Sequence, residues 1–197
     1  MIKTFTCFLL MSFTILGFNP KDTVKAKIAI LHKAGEIYNP LKTKDRLKTG
    51  EMLRVFVLPV KDCFVYVVHT GDKESFLLCK SQLKSKKDTL LLPNPEDYYI
   101  FDEAGVKERI TVFCSVKKIN EIEKLFEKSE LVPSNKWNEL ESKLIKMNKI
   151  NLSEDSDKPF PLAGNVSSSV NDDFIETMQL FVGNDMLIRK YEIEVKK

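Results

Sequence analysis

Chemistry in this sequence would have to come from very few side chains. His32 and His69 are its two imidazoles, and no HxxH or HExxH spacing accompanies either of them, so zinc has no ready ligand pair. Cys63 or Cys114 could form a nucleophilic dyad with His69, because such a dyad needs only proximity in space. Both thiols, like Cys79, fall inside apolar runs, where cysteine behaves as a small and inert hydrophobe. The chain has no Gly-x-Ser-x-Gly elbow and no glycine loop that would cradle a phosphate. Asp172-Asp173 is a paired acid of the type glycosidases use, but it lies in a polar stretch that reads as surface loop. These residues assign no catalytic, cofactor-binding or metal site, and the expectation is a protein that is not an enzyme.

The elements that would position those side chains are mostly strands. Period-two patterning dominates, with turn residues between the runs. Lys27 to Leu31 is a first run, and Leu53, Val55 and Val57 then alternate with Arg54, Phe56 and Leu58. Cys63 to His69 is almost wholly apolar, which predicts a central strand covered on both faces. Thr70-Gly71-Asp72-Lys73 reads as a hairpin tip, and further strands are expected over 75–79, 89–92, 98–101 and 109–114. Gly50, Gly71 and Gly105 mark turns or close approaches, while Asp62 and Asp102 stand beside strand ends, where a carboxylate can accept backbone N–H groups.

The period then lengthens. Ile119, Ile122, Leu125 and Phe126 share one helical face, with Asn120 and Glu123 spaced as a capping pair. Pro133-Ser134 opens a second helix, along which Trp137, Leu140, Leu144 and Met147 recur every three or four residues. Its charges, including Glu139 and Lys143, read as a solvated face. Residues 153 to 173 turn to Ser, Asp, Asn, Gly and Pro and read as a long irregular connection. A closing hairpin follows, its strands over 176–182 and 186–195 joined by Gly183-Asn184-Asp185. The expected fold class is mainly β: an antiparallel β-sandwich of eight to ten strands, with a two-helix insertion (about 119–150) before the C-terminal hairpin.

The N-terminus carries a different signal. Met1-Ile2-Lys3 precedes an apolar run from Phe5 to Phe18, long enough for a signal peptide and too short for a spanning helix. Residues 1–26 are therefore expected to be a leader, cut after Ala26 or earlier, near Gly17 or Asn19, leaving 27–197 as a single domain. Export would leave Cys63, Cys79 and Cys114, an odd number that permits one internal disulfide at most; burial as three free thiols is the main expectation. With 31 Lys+Arg against 28 Asp+Glu, the chain lacks the basic bias of a nucleic-acid binder or of a protein drawn to anionic membranes.

The stretch Leu47-Lys48-Thr49-Gly50-Glu51-Met52-Leu53-Arg54-Val55, running on through Pro59, Asp62 and Cys63-Phe64-Val65-Tyr66-Val67, resembles the opening of a bacterial family. That family is domain-of-unknown-function family four-three-eight-four. Tyr99 to Glu108 resembles its Asp- and Gly-containing corner, and Ile110 to Ser115 the strand that follows. The likeness covers about residues 28 to 128, and it departs at Leu77-Leu78-Cys79-Lys80, where the family commonly shows Leu-Phe-Pro-Asn. The resemblance implies a β-rich module, often exported or attached to enzymes such as caspase-like peptidases and kinases, with no established catalytic residue and no cofactor. The expected function is a non-catalytic, exported binding or scaffolding module of the cell envelope whose partner is an envelope protein or polymer. The alternatives are an accessory domain of an envelope hydrolase or peptidase system, and a carbohydrate-binding module using Tyr98, Tyr99 and Trp137.

Overall fold

Val24, Ala26, Ile28 and Ile30 alternate with Lys25, Lys27 and Ala29, so an extended chain here sends one apolar row inward. They form β1 (Thr23–Ala34), the first element of a computed structural model that describes residues 23–34, 37–85, 88–151 and 178–197. β1 pairs with β4 (Met52–Pro59) along one edge. Its other edge takes β2 (Ile37–Pro40) and, further along, β11 (Gln179–Asn184). β7 (Leu90–Leu92) and β8 (Tyr99–Ile100) add to the far edge of β4 and complete a six-stranded sheet.

The second sheet has the order β10-β6-β5-β9-β12-β3. Its middle strands are β5 (Cys63–Thr70), β6 (Glu74–Leu83) and β9 (Lys107–Ser115). β12 (Met186–Lys196) and β3 (Lys44–Lys48) continue one side, and β10 (Leu131–Pro133) closes the other. The two sheets face each other as a mainly β, sandwich-like fold. Between them lie Val55, Val57 and Ile28 from the first sheet and Val65, Val67, Val112, Cys114 and Ile193 from the second.

β5 is covered on both faces, as its composition predicts. Cys63, Val65 and Val67 face the inter-sheet core, while Tyr66 and Val68 face a second cluster built with Phe113, Ile122, Phe126, Trp137 and Leu144. That cluster is roofed by α1 (Asn120–Leu125) and α2 (Ser134–Asn151). Trp137 is fully buried, with ring centroids 5.7 Å from Phe113 and 5.7 Å from Phe126. Gly50 and Gly105 turn the chain at φ +83° and +85°, where a Cβ would be strained.

Several expectations need correction. The closing strand β12 pairs antiparallel with β9 but parallel with β3, so the sandwich is not purely antiparallel, and the described strands number twelve. A third element, β10, interrupts the helical insertion, because Leu131–Pro133 reaches β6 and extends the sheet. α1 has no capping pair: Ile119 is its N-cap without a side-chain hydrogen bond. The Glu123 carboxylate instead accepts the Tyr66 hydroxyl at 2.9 Å, and Tyr66 Oη accepts the Ile119 N–H at 3.1 Å. Met147 is 47% exposed, beyond the end of the apolar stripe. The fold includes residues before the expected boundary at 27: Val24 and Ala26 are core residues, and residues 23–28 pair with β11. A cut after Ala26 would remove them, whereas one near Gly17 or Asn19 spares the strand. The apolar leader run and the 153–173 connection, Asp172-Asp173 included, lie outside the described residues.

Truncating Trp137 to Ala is expected to cost about 3–5 kcal/mol, the usual penalty for emptying a buried indole site; chemical denaturation of the variant checks it. The phenols add a pH dependence. Burial pushes Tyr66 and Tyr99 up to about 12. Because an unfolded tyrosine ionises near pH ~10, the protein holds these protons more tightly when folded. Their stabilising effect is complete below pH ~10 and is lost as pH rises through about 12. Thermal unfolding followed from pH 8 to 12, together with phenolate absorbance, is expected to show Tm falling as the phenols ionise through that alkaline window.

Candidate functional site

The outer surface of the first sheet carries Tyr38, the most exposed aromatic side chain among the described residues. β2 adds to β1 and β8 adds to β4 at the same end of the sheet, so Tyr38 and Tyr98, 60 positions apart, come together. Their rings lie 6.5 Å apart and 27° from parallel, and their hydroxyls are hydrogen bonded at 2.6 Å. Arg54 on β4 lays its guanidinium 3.8 Å over the Tyr98 ring. Its Nε–H donates to the Asp97 carbonyl at 3.0 Å and a terminal N–H donates to the Pro95 carbonyl at 2.5 Å. That loop is set by Asn94, whose Oδ1 accepts the backbone N–H of Glu96 and of Asp97, each at 2.8 Å. Lys33 completes the patch, with Nζ 5.5 Å from the Tyr38 ring centre and 5.9 Å from that of Tyr98.

Tyr38 is 45% exposed, and Ile100, on β8 across β1 and β4, is 50% exposed. The Tyr38 hydrogen bond, followed by burial, holds the Tyr98 phenol above its ordinary value, so its proton stays in place well past neutrality. The result is a two-ring aromatic shelf between two cations. Such a surface can stack on a flat or ring-shaped group and can attract negative charge close to it.

An open groove of about 950 Å³ on the second sheet is the other concave feature. It is lined by five cations (Lys42, Lys44, Arg46, Lys107, Arg109) and five acids (Asp45, Asp72, Glu108, Glu192, Glu194), two pairs of which meet across strands. Arg46 meets Glu194 at 2.9 Å and Lys44 meets Glu192 at 3.6 Å. A hydrogen bond from Lys190 holds the Glu192 carboxyl below its ordinary value despite partial burial. A groove that neutralises itself in this way has no net field with which to draw in a charged ligand.

Both histidines are engaged by carboxylates that lie far away in sequence. His69 Nε2 is 2.7 Å from Glu108 Oε2, and His32 Nδ1 is 3.4 Å from Glu51 Oε2. The Cys–His dyad is not formed. Cys63 sits six residues from His69 on the same strand, about 20 Å away at strand rise, and Cys114 lies four residues past His69's partner Ile110, about 13 Å away. Two nearby hydroxyls have structural partners: Ser134 Oγ donates to the Gly71 carbonyl at 2.8 Å and shares a hydrogen bond with Ser75 Oγ at 3.1 Å, whereas Thr70 Oγ1 is buried with no hydrogen-bond partner among the described residues. Among the described residues, no three His, Cys, Asp or Glu side chains gather to hold a metal ion, and no helix is long and apolar enough to cross a membrane.

The sequence-derived sugar-binding aromatics separate in the structure. Trp137 is buried and Tyr99 packs against the inter-sheet core; Tyr98 alone reaches the surface, with Tyr38 as the partner that sequence reasoning missed. Asp62 accepts the Ser85 N–H at 2.8 Å, as expected, whereas Asp102 is exposed and bonds to nothing among the described residues. Cys63, Cys79 and Cys114 are free thiols, the first and last of them buried. No protein-family model, curated protein or solved structure matches the chain. The family resemblance over residues 28 to 128 therefore rests on its motifs alone.

The charged face of α2 also departs from expectation at one position. Glu141 is 3% exposed; its Oε1 accepts the Thr111 hydroxyl at 2.5 Å and its Oε2 lies 3.1 Å from the Arg109 guanidinium, which also donates to Asn138. Replacing Glu141 with Ala leaves both donors behind and is expected to cost about 2–3 kcal/mol. Glu139→Ala, on the wet face, is expected to stay within about 0.5 kcal/mol of wild type in the same denaturation assay.

Proposed function

We propose that this protein is a non-catalytic, exported binding module that docks an envelope protein or polymer on the surface formed by Lys33, Tyr38, Arg54 and Tyr98. The observation that carries the reading is an exposed tyrosine, Tyr38, hydrogen bonded to a half-buried one, Tyr98, with a guanidinium stacked on the second ring. Aromatic and arginine side chains are the types that dominate binding energy at protein surfaces, and here a fixed loop pre-orients them at little entropic cost. A carbohydrate polymer is the second reading, favoured by the nearly parallel rings, because sugar rings pack on such shelves.

Co-sedimentation with isolated envelope material tests the reading. Tyr38→Ala with Tyr98→Ala is expected to weaken binding at least tenfold, equivalent to about 1.4 kcal/mol, while Tm stays near that of wild type. Undiminished binding by a folded double variant removes this surface from the account. Competition by soluble envelope oligosaccharides separates a polymer from a protein partner. If export is right, the intact mass of envelope-derived protein will lack about 17–19 N-terminal residues rather than 26, because the longer cut removes part of β1.

A further inference from the structure

The odd thiol count leaves three pairings open, and strand geometry removes two of them. Cys63 lies opposite Leu83 on β6, whereas Cys79 lies opposite Val67, four residues further along β5 and about 13 Å away at strand rise. Cys79 and Cys114 lie on the strands that flank β5, opposite Val67 and Val65 respectively, so two strand spacings and a two-residue offset put them about 12 Å apart. A disulfide needs Cα atoms within about 7 Å, and neither arrangement provides that. Cys114 is opposite Val65, the next residue on the core-facing row of Cys63, which makes Cys63 and Cys114 diagonal neighbours on adjacent strands. Both are buried, at 2% and 0% exposure, in the same inter-sheet cluster.

We propose that Cys63 and Cys114 form a dithiol that closes reversibly to a disulfide by exchange with a disulfide-bearing oxidant. The two thiols are already asymmetric. A hydrogen bond from Cys114 lowers Cys63 below its ordinary value against the effect of burial, and the same contact, with burial, raises Cys114. Cys63 is thus the attacking thiolate and Cys114 the proton donor that resolves the mixed disulfide. In the first step the Cys63 sulfur bonds to one sulfur of the oxidant and expels the other as a thiolate. In the second, Cys114 gives up its proton and attacks the Cys63 sulfur, releasing the remaining oxidant thiol. Two electrons and two protons pass to the oxidant, which leaves as two thiols.

Burial places this exchange in a folding intermediate or opened state in which β5 and β9 remain paired, which keeps the two thiols in contact, rather than in the closed sandwich. Diagonal strand neighbours stand about 7–8 Å apart at Cα, just beyond the ~7 Å that a disulfide spans without backbone movement, whereas the other two pairings would need several ångströms more. Closure therefore draws β5 and β9 together under strain, and a strained disulfide is more easily reduced than a relaxed one.

The test refolds the full-length Cys7→Ser chain in mixtures of glutathione and its disulfide, traps it in acid and measures mass and peptide connectivity. The expected product is two mass units lighter, with Cys63 linked to Cys114, Cys79 still open to alkylation after unfolding, and the bridge cleaved by reduced glutathione without denaturant. Cys79→Ser is expected to keep the bridge and Cys114→Ser to lose it. A fully reduced product at every glutathione ratio, or a bridge that includes Cys79, overturns the proposal. A Cys63–Cys114 bridge that resists glutathione overturns its reversibility. Circular dichroism of the oxidised Cys79→Ser chain reports whether the bridge forms within the native sheet; a bridged but unfolded chain also overturns it.

Discussion

The burial of β5 on both faces is the constraint on which the rest of this structure depends. A strand reading Cys63-Phe64-Val65-Tyr66-Val67-Val68 cannot leave either row of side chains in water without exposing several large apolar groups. One row needs a second sheet and the other needs a cover of different origin. The two sheets supply the first requirement and the helical insertion supplies the second. The helices are therefore a necessary third layer over the centre of the second sheet.

Polar contacts then fix how that layer sits. Tyr66 is the pivot: its ring fills the apolar cluster while its hydroxyl links the start of α1 to Glu123. Glu141 does the equivalent for α2 by receiving Thr111 and Arg109 from β9. Tyr66 and Glu141 both bond across to the opposing element, so sliding either helix along the sheet would strand those donors and acceptors in a dry environment. Apolar packing alone would tolerate such a shift more easily, because dispersion and area burial have little directional preference.

The same layering determines where a partner can dock. The helices occupy the outer face of the second sheet at one end, and the other end of that face is a groove whose charges cancel. The first sheet has no helix on its outer face among the described residues, and there the Tyr38–Tyr98 shelf emerges. Arg54 links architecture to surface. Its neighbours Leu53 and Val55 point into the core, so strand alternation alone sends Arg54 outward to meet Tyr98.

Fold class, the doubly buried β5, the hairpin tip at Gly71–Lys73 and the apolar stripe of α2 were legible in the sequence, because periodicity and turn chemistry are local properties written over a few residues. Three kinds of fact became visible only in the tertiary structure. The parallel pairing of β3 with β12 joins segments far apart in the chain, and β3 is too charged and too short to announce itself. Glu141 looks like any other helix-surface acid until β9 places Arg109 and Thr111 against it. Tyr38 gains a partner only because β2 and β8 happen to end on the same side of one sheet, and the eligible partner among the three cysteines follows from strand order. Local backbone preference decides what each segment becomes. Which side chains meet is decided by long-range pairing, for which a single sequence carries no local signal.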